Sequence, residues 1–158
     1  MKPVSIRRGT KEDAPMVEKL IGEWLKWEIP REESINRAIE NDELLVADWQ
    51  GEIVGFIHYA IHEDIIDGGT NAFVTAFYVL PKFRNKKIGS HLLEEAIQNL
   101  LDKGVVGIST STANPNAKRL YERYNFKQFT GEWTMGEVFL EMYVKKTDKN
   151  AGTEMVKL

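Results

Sequence analysis

The most informative part of the 158-residue sequence is one segment, Val79-Leu80-Pro81-Lys82-Phe83-Arg84-Asn85-Lys86-Lys87-Ile88-Gly89-Ser90. It follows a run of β-branched and aromatic residues typical of a buried strand, and it precedes apolar residues at helical spacing. The segment is therefore predicted to be a loop that leads from a strand into the N-terminus of a helix. Such an end presents unpaired N–H groups and the positive end of the helix dipole, so it is suited to bind an anion.

Four cationic side chains crowd this predicted helix start, namely Lys82, Arg84, Lys86 and Lys87. Each exposed cation at a helix N-terminus opposes the dipole by about 0.3–1 kcal/mol. Selection for stability alone would favour Asp or Glu there, whereas a bound polyanion would account for the cations. A solvated basic turn is the alternative that composition alone leaves open.

The hydrophobic pattern on both sides of this segment predicts the order strand, two helices, three strands, helix, strand, helix and two strands. Thr10 and Asp13 form a capping-box pattern before the first helix, whose apolar stripe is predicted to be buried. The stripe comprises Val17, Leu20, Ile21, Trp24 and Leu25. The predicted strands are 4–7, 43–49, 52–61, 72–80, 105–109, 126–130 and 138–145. This order predicts a single-domain α/β fold, in which helices cover a mixed sheet.

Composition excludes several classes of protein. The net charge is −3, which argues against a general nucleic-acid binder, and the absence of cysteine removes disulfides, Cys-based zinc sites and thiol nucleophiles. Three scattered histidines do not form a conventional zinc site, so no metal is expected. No signal peptide and no apolar run of about 18 residues is visible, so we expect a cytoplasmic protein without a membrane partner.

Two motifs resemble those of the GNAT superfamily of N-acetyltransferases. Arg84-x-x-Lys87-x-Gly89 resembles that family's acetyl-CoA pyrophosphate loop, Arg/Gln-x-x-Gly-x-Gly/Ala. Asn114-x-x-Ala117-x-x-Leu120-Tyr121-Glu122-x-x-x-Phe126 resembles its Asn-x-x-Ala-x-x-x-Tyr-Glu-x-x-Gly-Phe helix. Together with the element order, the resemblance covers residues 4–145 and implies a mixed, mostly antiparallel central sheet flanked by helices. It assigns residues 1–146 to the transferase domain and leaves 147–158 as a polar tail.

The sequence departs from the family pattern at two positions, where Lys87 and Asn125 replace glycines. Asn tolerates the left-handed conformation, so Asn125 is expected to end its helix as glycine would. At Lys87 a positive φ would weaken coenzyme binding, whereas a negative φ would leave its N–H free to donate. We expect binding to be retained.

The resemblance implies direct attack of a primary amine on acetyl-CoA without an acyl-enzyme, and it assigns roles to particular residues. Tyr121 matches the general acid, and the N–H of Val79 is expected to stabilise the oxyanion. Asn114 would contact the coenzyme, although an Asn before Pro is also an ordinary helix cap. The expected acetyl-CoA contacts are Tyr78, Val79, Arg84, Asn85, Lys86, Lys87, Ile88, Gly89, Ser90, Asn114, Ala117 and Tyr121.

The general base and the acceptor are less well specified. Residues 73–78 carry no carboxylate where many family members have a glutamate. The next candidate bases are His62, Glu63 and Asp64 at the end of the preceding strand, and an amine that loses its proton to water would need none. His58 shares a strand face with His62 but is expected in the sheet interior. Aromatic and acidic residues that would suit a cationic acceptor, a small molecule or a peptide, are Trp24, Trp27, Glu28, Glu32, Glu33, Glu132 and Trp133.

Two other readings stay open at this level, and so does the oligomeric state. The first alternative is a non-catalytic acyl-CoA sensor or interaction module with the same fold. The second is a nucleotide- or phosphate-binding regulatory domain, although the common nucleotide-binding glycine motifs are absent. The resemblance is also compatible with a homodimer.

Overall fold

A computed structural model describes residues 4–66, 68–128 and 138–143. The strands are β1 (Ser5–Arg8), β2 (Leu44–Trp49), β3 (Glu52–Glu63), β4 (Thr70–Val79), β5 (Gly107–Thr112), β6 (Lys127–Gln128) and β7 (Val138–Tyr143). The helices are α1 (Ala14–Leu25), α2 (Glu32–Glu40), α3 (Ile88–Asp102) and α4 (Pro115–Arg123). This is the element order that the sequence predicts.

The strands are hydrogen-bonded in the order β1-β2-β3-β4-β5-β7-β6. β4 and β5 run parallel, whereas β1–β2, β2–β3, β5–β7 and β6–β7 are antiparallel. The prediction of a mixed, mostly antiparallel sheet with helices is therefore confirmed.

By internal contacts the chain divides into two compact units. The first unit comprises Met1–Tyr59 and Thr75–Asn99, and the second comprises Ala60–Val74 and Leu100–Leu158. Strands β3 and β4 run through both units, and each unit is described by itself below.

In the first unit, the start of α1 follows the predicted capping box. The backbone N–H of Thr10 donates to Asp13 at 2.7 Å, and a turn of 3₁₀ helix over Lys11–Asp13 precedes α1. Arg7 pairs with the same buried carboxylate at 2.7 Å. Burial would raise the pKa of Asp13, but the hydrogen bonds from Arg7 and Thr10 hold it below its ordinary value.

The prediction of one continuous buried stripe on α1 is wrong at its C-terminal end. Val17 and Leu20 are buried, but Trp24 and Leu25 are 37% and 46% exposed. The helix ends at Leu25, because Lys26 takes a left-handed conformation with φ 54°. The predicted break at Ile29-Pro30 therefore comes four residues earlier.

The middle strands of the first unit are joined by a tight turn at Gln50-Gly51, where φ is 52° and 87°, as expected for a two-residue hairpin. Residues 53–57 of β3 are buried, in agreement with the predicted strand covered on both faces. Gly55 allows a close approach to β4, since an added Cβ would lie 3.0 Å from the carbonyl oxygen of Tyr78.

In the second unit, β5 begins and ends later than predicted. The backbone N–H of Val105 donates to Leu100 and that of Val106 donates to Thr70, and both residues precede the strand. The strand begins at Gly107 and continues to Thr112 because β7 pairs with it along its whole length. The predicted strands 126–130 and 138–145 are seen as β6 and β7, but β6 begins at Lys127, one residue later than predicted. Residues 129–130 and 144–145 lie outside the described part of the chain.

Candidate functional site

The predicted anion-binding loop lies in the first unit, between β4 and α3. Residues Pro81–Phe83 form a 3₁₀ turn, and α3 begins at Ile88. The N–H of His91 donates to the carbonyl oxygen of Lys87 at 3.0 Å, so Lys87 is the N-cap residue of α3. The first N–H groups of the helix, on Ile88, Gly89 and Ser90, consequently have no intrahelical acceptor.

The loop backbone is left-handed at two non-glycine residues, with φ 60° at Asn85 and 66° at Lys87. Lys87 thus has the positive φ that is expected from the sequence to weaken coenzyme binding, and retained binding at this loop stays a prediction. Left-handed backbone costs a non-glycine residue about 1–2 kcal/mol. Such strain is typical of functional loops, where the surrounding structure maintains it.

The charges of the loop are arranged to receive an anion. Arg84 is anchored by its Nε–H, which donates to the Val79 carbonyl oxygen at 2.8 Å, and its guanidinium lies 5.4 Å from the Tyr78 ring centroid. Within the described part of the chain, Lys82, Lys86 and Lys87 form no ion pair, and the first turn of α3 has no acidic residue. These cations and the free helix N–H groups fit a pyrophosphate.

The end of β4 supplies a further donor. β5 pairs with β4 only from Asn71 to Val74, so the following residues have no β5 partner in the described ranges. Leu80 donates to Val54 on the β3 side at 2.9 Å. Because successive N–H groups of a strand point to opposite sides, the N–H of Val79 points away from β3.

Tyr121 lies in the second unit on α4, and its side chain is 3% exposed. The helix ends in a Schellman motif, in which Phe126 donates to the Tyr121 carbonyl oxygen and Asn125 donates to that of Glu122, both at 3.2 Å. Asn125 has φ 70°, which confirms its predicted glycine-like role. The rings of Tyr121 and Phe126 lie 5.1 Å apart, so the motif also fixes the phenol.

The environment of Tyr121 keeps its hydroxyl protonated. Burial raises the pKa of Tyr121 to about 12, against a smaller opposing effect of the hydrogen bond with Thr110. The hydroxyl of Thr110 in turn donates to the Val74 carbonyl oxygen at 3.1 Å. At neutral pH the phenol is thus in the form that a general acid requires.

Asn114 is the N-cap of α4, since its Oδ1 accepts from the N–H groups of Asn116 at 2.8 Å and Ala117 at 3.4 Å. The capping role that the sequence left open is therefore present. Its amide nitrogen is left to donate elsewhere. Ala117 is half-buried one turn before Tyr121.

Two of the predicted bases, His62 and Glu63, lie at the end of β3 in the second unit. His62 and Glu63 are both exposed, and the Glu63 carboxylate accepts a hydrogen bond from the Thr70 hydroxyl at 2.9 Å. The third candidate, Asp64, follows β3, and its carboxylate accepts a hydrogen bond from the backbone N–H of Ile66 at 2.8 Å.

A feature that the sequence reasoning missed is a cavity of about 140 Å³ in the first unit. Its buried wall is apolar and comprises Val17, Ile35, Ala38, Leu44 and Phe56. Its more exposed lining includes His58 and Arg31. The only sequence signal for His58 was its alternation with His62, which does not reveal a cavity between helices and sheet.

His58 is half-buried and its Nδ1 contacts the Thr75 hydroxyl, which also lies 3.3 Å from the His58 carbonyl oxygen. Burial lowers the pKa of His58, and the charge of Glu43 opposes this in part. The imidazole is consequently neutral at pH 7 and available as a proton acceptor.

The residues expected to bind a cationic acceptor do not form one acidic surface at the cavity. Trp24 stacks on Tyr78 with ring centroids 5.3 Å apart, and Trp27 is 61% exposed. Glu28, Glu32 and Glu33 are exposed, and Glu33 pairs with Arg37 at 3.3 Å. Glu132 and Trp133 lie outside the described residues.

Two further searches of the described residues concern metals and membranes. No group of three or more histidine or acidic side chains is arranged to hold a metal ion in these ranges. In the same part of the chain no helix combines the length and apolar character required to cross a bilayer.

Comparison with known proteins agrees with this geometry. The sequence model of the acetyltransferase (GNAT) family matches residues 13–126. The aminoalkylphosphonate N-acetyltransferase of Salmonella typhimurium is 30% identical over 135 residues, which cover 81% of this chain and 88% of that protein. Two crystal structures share the fold, covering 89–90% of this chain and 99–100% of theirs. One is the ribosomal-protein-alanine N-acetyltransferase of Brucella melitensis (TM-score 0.75, 18% identity). The other is the PaiA N-acetyltransferase of Thermoplasma acidophilum with coenzyme A (TM-score 0.71, 21% identity).

A mixed sheet with a basic loop between a strand and a helix N-terminus is compatible with a transferase that uses an acyl-CoA. The chain belongs to the GNAT family of acetyltransferases. It is an acetyl-CoA-dependent N-acetyltransferase, with acetyl-CoA as its co-substrate.

Proposed function

We propose that the protein transfers the acetyl group to a primary amine by direct attack, with Tyr121 as general acid. Acetyl-CoA supplies an activated acetyl thioester. The amine nitrogen bonds to the acetyl carbon, the carbon–sulfur bond breaks, and the thiolate takes the phenolic proton of Tyr121 while the amine loses its own. The observation that carries this proposal is a buried phenol, fixed by Thr110 and Phe126, that stays protonated at neutral pH.

The raised pKa of Tyr121 is compatible with this role. Burial disfavours every anion in the same environment, so it raises the pKa of a thiol as well as that of a phenol. The difference between the two pKa values, which sets the free energy of proton transfer, therefore changes less than the pKa of Tyr121 itself.

The first unit would hold the coenzyme and stabilise charge. The N–H groups of Ile88, Gly89 and Ser90, with Arg84 and the loop lysines, would bind the pyrophosphate, and Asn85 and Tyr78 shape its surroundings. The N–H of Val79 would stabilise negative charge on the acetyl oxygen, an effect commonly worth about 2.7–4 kcal/mol of barrier. Asn114 and Ala117 stay the further coenzyme contacts that the family resemblance implies.

For the proton of the amine, we propose His58 in addition to the earlier candidates His62 and Glu63. The hydroxyl of Thr75 has a single hydrogen, which we assign to the His58 carbonyl oxygen. The Oγ of Thr75 then accepts a hydrogen bond from the Nδ1–H of His58, and the free lone pair of the imidazole lies on Nε2. His58 also lines the cavity in the unit that carries the coenzyme loop, which favours it over the exposed pair.

Replacement of Tyr121 by Phe tests the acid role. We expect kcat to fall by about 10²-fold or more, because the thiolate would leave unprotonated, while the affinity for acetyl-CoA measured by calorimetry changes little. CoA release is followed with spermidine, aminoethylphosphonate and peptide amines. Equal turnover of Y121F and the parent would remove Tyr121 from the role, and a mass increase on incubation with acetyl-CoA alone would contradict direct attack.

A further inference from the structure

The cavity of the first unit has the size and polarity of a side-chain pocket. Its volume of about 140 Å³ is close to that of an engineered apolar cavity of about 150 Å³ that binds benzene. It therefore has room for one phenyl or branched aliphatic group. The buried wall, contributed by α1, α2, β2 and β3, offers such a group only carbon atoms.

The less buried part of the lining reaches solvent and includes the three polar residues of the cavity, although almost all of the lining surface is apolar. Ser34 is exposed, and Arg31, His58 and Ala76 are half-buried. An apolar interior with a few polar groups at one side is the usual form of a small-molecule site. A core packing defect, by contrast, would be enclosed by apolar side chains.

Arg31 gives this polar side a positive charge. Its guanidinium donates to the carbonyl oxygens of Ile29, at 3.3 Å, and Trp27. Among the described residues no carboxylate forms an ion pair with the guanidinium. The Glu18 carboxylate accepts a hydrogen bond from the backbone N–H of Arg31 at 2.7 Å. The guanidinium thus has donors to offer to an anionic group.

The cavity is connected to the coenzyme loop by β4. Ala76 lines the cavity, and Val79 follows three residues later, which is about 10 Å along an extended strand. The cavity and the predicted oxyanion donor are therefore reached from the same strand of the first unit.

We propose that the cavity binds the acceptor, and that the acceptor is a primary amine carrying an apolar side chain of leucine or phenylalanine size and an adjacent carboxylate. The side chain occupies the apolar wall, the carboxylate pairs with Arg31, and the amine faces His58. This inference rests on the proposed transferase function. It replaces the cationic acceptor that the sequence favoured.

The test compares CoA release from acetyl-CoA with glycine, leucine, phenylalanine and their three amides. We expect kcat/KM for leucine and phenylalanine to exceed that for glycine at least tenfold, and each acid to exceed its amide. Ala38→Leu, which fills the cavity from its buried wall, should abolish the side-chain preference without changing acetyl-CoA affinity. Arg31→Gln should remove the preference for acid over amide. Arg37→Gln on α2, at a residue that does not line the cavity, serves as a matched control and should leave this preference unchanged.

A binding measurement tests the proposed acceptor site even if no amine is acetylated. N-acetylphenylalanine is titrated into the protein saturated with CoA, and A38L should lose this binding while its melting temperature stays near that of the parent. Binding that A38L retains, or no binding by the parent, overturns the proposal. Turnover of spermidine but not of the apolar amines would overturn it and leave the transferase function intact. CoA binding without turnover of any amine would instead contradict the proposed function.

Discussion

His58 illustrates how one residue acquires a role from its surroundings. Its ring contacts Thr75 and lines an apolar cavity. Burial lowers the pKa of His58 below the ordinary 6.5, although the charge of Glu43 opposes this in part. The folded protein thus prefers the neutral ring. As the pH falls below 6.5, the imidazole takes up a proton in the unfolded state before it does so in the folded state. The free energy of unfolding therefore decreases toward acid pH.

His58→Gln is expected to lower kcat/KM by about 10²-fold at neutral pH, because it removes the proton acceptor. The parent should lose activity only below pH 6.5, and this acidic limb should disappear in H58Q. Thr75→Val should slow the reaction while retaining the limb, since the ring remains but its tautomer is no longer fixed.

The control is His91→Gln, an exposed histidine on α3 outside the site, which should keep the parent pH profile. If His62→Gln removed the limb and His58→Gln did not, the base would be the exposed histidine that the sequence indicated.

At the scale of an element, the start of α3 combines cations with left-handed backbone. Lys87→Gly relieves strain of about 1–2 kcal/mol, partly offset by the greater freedom of glycine in the unfolded chain, whereas Lys87→Ala retains the strain. We therefore expect K87G to melt at a higher temperature than K87A.

Both variants lose the same ammonium group, so both should bind acetyl-CoA about two- to fivefold more weakly than the parent in calorimetric titrations. Tighter binding by K87G than by the parent would mean that the lysine hinders the approach of phosphate and does not assist it.

At the scale of the whole molecule, the cationic side chains of the coenzyme loop form a positive patch on a protein whose net charge is −3. A polyanionic coenzyme is attracted by the local patch and weakly repelled by the remainder, and salt screens exposed charges beyond about 10 Å at 0.1 M. We expect the affinity for CoA to fall as ionic strength rises, and the fall to be smaller in K87A. An affinity independent of salt would assign binding to the backbone N–H groups alone.

Local features of this protein were readable from sequence because they depend on neighbouring residues. The capping box of Thr10 and Asp13, the cap at Asn114, the left-handed Asn125 and the basic loop before α3 each arise within a few residues. The boundaries of β5 were less accessible, since a strand ends where its partners end.

The features that required tertiary structure join segments far apart in the chain. The cavity is assembled from α1, α2 and three strands, and His58 meets Thr75 across 17 residues. The burial that sets the pKa of Tyr121, and the exposure of Trp24 on an otherwise apolar stripe, depend on what packs against each residue. Sequence determined the family, the coenzyme loop and the element order, whereas only packing between distant segments decided where a neutral histidine and an apolar pocket meet.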